Sequence, residues 1–150
     1  MSFIGDILGG QAQDKAYQRE AELQRRNATI TEQNAEQAYN VYENFDAPRF
    51  ERTADQLTGT INVATATSGA ESNTGSNLRA KLDNSYQLET DKVMMKYNAV
   101  TGREGGLNQA IMQRAEADVS IYKGKVAKTT GYIKAAGSLL TSYNNYNKVG

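Results

Sequence analysis

The chain has 150 residues, 17 Lys+Arg against 17 Asp+Glu, one Pro, and no Cys, His or Trp. Without thiol or imidazole there is no disulfide framework, no cysteine or histidine nucleophile or base, and no Cys- or His-based zinc site. A mean hydropathy of -0.67 and only three Phe leave little to build a thick core, so the composition points to long helices burying thin apolar stripes.

The neutral total hides a gradient. Residues 1–50 carry five basic and eight acidic side chains, and residues 101–150 carry seven and three. No acid follows Asp118, whereas Lys123, Lys125, Lys128, Lys134 and Lys148 do. A basic end is a candidate contact for phosphate, on DNA or on anionic lipid; it also suits an ordinary solvated helix end.

Residues 1–10 form an apolar N-terminus in which Phe3, Ile4, Ile7 and Leu8 cluster around Asp6. The cluster lacks the basic flank and length of a signal segment, and no stretch reaches the ~18 apolar residues of a membrane span. Residues 11–67 read as a first helical arm rich in Ala, Gln and Glu. Steps of four and three from Tyr17 give Ala21, Gln24, Ala28, Thr31, Ala35, Ala38, Tyr42 and Phe45, a heptad seam of mostly small residues. Pro48 predicts a kink or a restart of the helix. A second seam follows in a new phase: Phe50, Ala54, Leu57, Ile61 and Ala64.

Residues 68–77, SGAESNTGSN, read as a turn that reverses the chain, with Thr74 or Ser76 as cap. Residues 78–128 read as a second arm. Its apolar residues include Leu82 and Val93, Tyr86 and Tyr97, and Val100, Ile111 and Tyr122, each set spaced by 11. That period predicts a nearly straight or slightly right-handed stripe, one of the thin apolar stripes expected to bury against partners. Gly102, Gly105 and Gly106 predict a kink, a close approach or a break. The tail, residues 129–150, is small, apolar and basic, with Tyr132, Ile133, Ala136, Leu139, Leu140 and Tyr143 on one helical face.

The expected fold is therefore all-α: one extended helical hairpin, broken near Pro48, turning at 68–77 and assembled as an oligomer. No P-loop, nucleophile elbow, dinucleotide fingerprint or calcium loop is present, so neither an enzyme nor a cofactor is expected. Glu20 with Glu22 and Glu116 with Asp118 are two residues apart and point to different sides of a helix. The candidate membrane or subunit contacts are Phe3, Ile4, Ile7, Leu8, Tyr132, Ile133, Ala136, Leu139, Leu140 and Tyr143. The candidate phosphate contacts are Lys123, Lys125, Lys128 and Lys134. Nine Tyr against three Phe suit interfaces with one wet side, either between helices or at a lipid headgroup layer.

The stretch SGAESNTGSNLRAKLDNSYQLETDKVMMKYNA, followed by GYIKAAGSLLTSY, resembles the internal virion proteins of short-tailed bacteriophages, the internal core or DNA-ejection proteins. The resemblance covers about residues 68–143 and is one of composition and order. It implies a protein stored inside the capsid near the portal, released through the tail, and helping to form a conduit across the host envelope. The partners it implies are further copies in a ring, other core proteins, the portal and host membrane lipid; separately, the Lys-rich end makes non-specific DNA contact an expectation. A portal adaptor, tail component or scaffold built from long helices is the alternative.

Overall fold

A computed structural model describes residues 3–67 and 75–148. All of them are helical. Helix α1 runs Phe3–Val41, a single π-helical turn spans Tyr42–Asp46, α2 runs Ala47–Thr67, and α3 runs Gly75–Lys148. The predicted turn lies at 68–74 outside the described residues; residues 75–77, also assigned to it, already belong to α3. Gly75 enters that helix at φ +60°, a left-handed conformation open to glycine and strained for other residues.

The helices pack as two units. The first joins residues 1–32 to 108–150, and the second comprises residues 33–107. Within each unit the partners run antiparallel. In the first, Gln11, Arg25 and Thr31 meet Tyr132, Asp118 and Gln113. In the second, Glu36 and Glu51 meet Arg103 and Lys92. The connectivity is that of a helical hairpin.

Pro48 explains the π-helical turn. A regular α-helix would need the Pro48 nitrogen to donate to the Asn44 carbonyl, and proline has no N–H. The ladder widens just before it, and the Ala47 N–H donates to the Tyr42 carbonyl, five residues back. The wide turn absorbs one residue, so the inward face passes from Tyr42 to Ala47 and on to Phe50, Ala54 and Ile61. Four predicted seam positions are corrected here. Ala38, Phe45, Leu57 and Ala64 are exposed, while Tyr39 and Thr65 take inward places. The Arg103 guanidinium lies 5.1 Å from the centre of the Tyr39 ring.

The glycines of residues 102–106 neither break nor end α3, which continues through them and through the predicted tail. A Cβ placed on Gly102 or Gly105 would meet nothing within 4 Å. Both therefore weaken the helix with no packing gained. Replacing either by Ala is expected to raise stability by roughly 0.5–1 kcal/mol, read as a higher urea midpoint at unchanged slope.

Candidate functional site

In the first unit, α1 and α3 meet through very small residues. The buried positions of α1 are Gly10, Asp14, Ala21 and Ala28. Those of α3 are Ala110, Ala117, Ser120, Gly124, Gly131 and Ala135. Residues 110, 117, 124 and 131 form a strict heptad of Ala, Ala, Gly and Gly. The backbones come very close. A Cβ on Gly131 would stand 2.8 Å from the Asp6 carbonyl oxygen and 3.1 Å from Gly10 Cα. One on Gly124 would stand 2.7 Å from the Asp14 carboxylate. That carboxylate accepts from Gln18 at 3.1 Å and lies 4.0 Å from Lys128 Nζ.

Ionic contacts flank the seam. Arg25 pairs with Asp118 at 2.8 Å, and Glu32 pairs with Arg114. All four side chains are substantially exposed, so these pairs set register more than they stabilise. In the second unit Glu51 accepts from Lys92 at 2.6 Å and Glu36 from Arg103.

The Glu51 hydrogen bond, reinforced by its charge, holds the Lys92 amine above its ordinary value. The Glu36 hydrogen bond does the same for the Arg103 guanidinium. A raised folded-state pKa adds stability that is complete below the unfolded value, 10.5 for Lys92, and lost as pH rises through the folded value. Titration between pH 7 and 10 is therefore expected to leave the Lys92–Glu51 pair intact. Glu51→Gln should move the Lys92 titration midpoint, followed by NMR, back toward 10.5.

In the first unit the small-residue seam leaves the large apolar side chains of α3 outward. In the 11-residue series of α3, Leu82, Tyr86, Val93, Tyr97, Ile111 and Tyr122 are all exposed in the single chain. Only Val100 and Leu107 of the predicted α3 face are half-buried. At about 100° per residue, the outward face of α3 in the first unit carries Ile111, Ala115, Val119, Tyr122, Val126, Ile133, Gly137 and Leu140. The neighbouring positions between them on that face are Asn108, Met112, Thr129, Thr130 and Asn144, so no charge falls on it. It lies about opposite the seam. The outward face of α1 in the same unit is different in kind, carrying Lys15, Arg19, Glu22 and Arg26 beside Ala12, Leu23 and Ile30.

The predicted contact residues divide accordingly. Ile133 and Leu140 lie on the uncharged stripe, while Tyr132, Ala136, Leu139 and Tyr143 are exposed along its edge toward the seam. The Tyr132 hydroxyl accepts from Gln11 at 3.5 Å. At the N-terminus Ile4 and Leu8 are exposed, and Phe3 and Ile7 are half-buried. The four lysines do not form one patch. Lys123 and Lys134 share one flank of α3, and Lys125 lies about 160° from Lys123 on the flank where Lys128 meets Asp14. Lys148's side chain is outside the described residues.

Among the described residues no group of three or more carboxylates comes together as a metal site, and no helix is long and apolar enough to cross a membrane. An open groove of about 360 Å³ beside the seam is lined by Gln24, Met112, Val119, Ser120 and Lys123 between Glu20 and Glu116. Comparison with protein-family models, with curated proteins and with solved structures finds no match.

Proposed function

We propose that the chain is a non-enzymatic internal core or ejection protein of a short-tailed phage. It is stored as a helical subunit near the portal and released to help build a conduit across the host envelope. The observation that supports this reading is the inside-out character of the first unit. Water-soluble helix pairs normally bury their large apolar residues; here the buried seam positions are Ala, Gly and Ser with the Asp14 carboxylate, and Ile, Val, Tyr and Leu face outward. Small residues inside and large apolar residues outside is the arrangement of helix pairs in a lipid environment.

The two outward faces suit a shared wall. From Ile111 to Leu140 the uncharged stripe is about 44 Å long, more than the ~30 Å of a hydrocarbon core. The charged α1 face lies on the other side of the same pair. Several copies placed side by side would present α3 to lipid and α1 to water. The charged flanks, including Glu116, Lys123 and Lys125, would then meet between copies. No single helix has to span alone.

Weakly held helices also suit passage through a tail. Among the described residues the buried hydrophobic ones are Ala21, Ala28, Ala110, Ala117 and Ala135. Alanine burial contributes little, so each pair separates at small cost.

The test is flotation of the full chain with neutral phosphatidylcholine vesicles and, in parallel, with vesicles containing anionic lipid. Flotation with both is expected from an apolar stripe. Failure to float with either would transfer the reading to a portal adaptor or scaffold. Flotation with anionic vesicles alone would assign the contact to lysines instead of the stripe.

A further inference from the structure

The stripe on α3 contains two interleaved rows with the same 11-residue period. Ile111, Tyr122 and Ile133 form a row of large side chains, and Ala115, Val126 and Gly137 a row of smaller ones. The large row is prominent, with Ile111 59%, Tyr122 69% and Ile133 68% exposed. The small row leaves room, since a Cβ on Gly137 would meet nothing within 4 Å. An 11-residue period keeps both rows on one side of a nearly straight helix.

Equal periods give the stripe a particular self-complementarity. Let a second copy of α3 lie antiparallel on the first, with Tyr122 of each opposite Val126 of the other. The shared period then sets Ile111 opposite Gly137 and Ile133 opposite Ala115. Every large residue of the row meets a smaller one, and the two-fold axis makes each pairing occur twice. A parallel pairing in register would set Ile against Ile and Tyr against Tyr, leaving the small rows facing empty space.

The chemistry favours a second copy in water. The stripe has no charge to be desolvated, and its exposed side chains offer on the order of 800 Å² per copy, one partner's share of a standard stable interface. We propose that α3 residues 111–140 form an antiparallel, two-fold dimer interface between copies of this chain in aqueous solution, in the register that sets Tyr122 against Val126. The interface shares the stripe with the reading above but needs no lipid, so either can fail alone. It gives the stripe a covered state before any membrane is met.

The chain has no cysteine, which makes the register directly measurable. Two full-length variants are prepared, Ala115→Cys and Ile133→Cys, and oxidised separately and as a mixture. In the proposed register the two positions face each other across the dimer, within reach of the roughly 4 Å Cβ separation of a disulfide. Like positions sit about 27 Å apart along the axis. Disulfide dimers are expected in the mixture and at least tenfold fewer in either variant alone. Equal cross-linking of a variant with itself would overturn the antiparallel register, and no cross-linking in the mixture would overturn the interface. Sedimentation of the unmodified chain provides the second measurement: a dimer is expected, dissociated by Tyr122→Arg. A monomer at tens of micromolar, or a dimer indifferent to Tyr122→Arg, would also overturn the proposal.

Discussion

Replacing Ile133 and Leu140 together by Asp is expected to abolish flotation with neutral vesicles while leaving the helix content unchanged. Both side chains are more than six-tenths exposed and lie on the face of α3 about opposite the seam. The fold therefore has no reason to notice them. The bilayer does. Burial of an Ile or Leu side chain contributes roughly 1.5–3 kcal/mol. An Asp carried into the apolar layer costs about 2.5–3.5 kcal/mol more at its centre and less near its edge. Even with partial insertion, two substitutions remove about 4 kcal/mol, a thousandfold in partitioning. The control is Leu23→Asp with Ile30→Asp on the charged face of α1, two equally apolar residues that the proposed wall turns toward water. That variant should float like the unmodified chain. Equal loss in both variants would mean that general hydrophobicity, and not the α3 stripe, carries the binding.

The second large effect concerns the seam itself. Gly131→Leu is expected to lower unfolding stability by about 3 kcal/mol. A side chain at this position meets backbone on both sides, the Asp6 carbonyl oxygen and Gly10 Cα, and neither can rotate away. The pair must separate by more than an ångström, and the contacts of Ala21, Ala117, Gly124 and Ser120 loosen with it. Gly131→Ala gains about 1 kcal/mol of helix propensity and still loses overall, because its Cβ is already inside the 3 Å limit. The sign should therefore reverse along one helix. Alanine destabilises at 131, where backbones touch, and stabilises at 102, where nothing is near. Urea unfolding of the two variants, followed by circular dichroism at 222 nm, compares them directly. A stabilised Gly131→Ala would show that the helices do not approach closely there.

Much of the helix layout was legible in the chain. The Ala, Gln and Glu content of residues 11–45 and the periodicity of the second arm predict helices, and helices form. Tyr17, Ala21, Gln24, Ala28, Thr31 and Ala35 were placed in the seam by their spacing and are buried or half-buried. Pro48 marked the irregularity between α1 and α2 because the missing N–H is a local fact. Of the outcomes expected for the glycines of 102–106, a break does not occur, and Gly102 and Gly105 are not places of close approach. Propensity counts their cost, but a long helix tolerates it when the flanking turns are well formed.

The α3 stripe is legible in the sequence, but that it lies outside the helix pair is not, and the reason is physical. Periodicity assigns the largest apolar residues to the core because burial is usually worth most there. A heptad of Ala110, Ala117, Gly124 and Gly131 runs along the other side of the same helix, a signal visible in the sequence but weak on any hydropathy scale. Which face wins depends on what lies opposite, and α1 offers Gly10, Ala21 and Ala28. Small residues against small residues let the backbones approach, and a face of Ile and Tyr could not do so.

Local backbone preference and the spacing of side chains along one chain were enough to make this protein helical, to interrupt its helices near Pro48, and to run two apolar periodicities along its second arm. Neither could say which periodicity is taken inside the molecule and which is left outside. The packed helices settle that, because the choice depends on how closely two backbones fit. It rests on contacts such as Gly10 with Gly131, which join residues 121 positions apart.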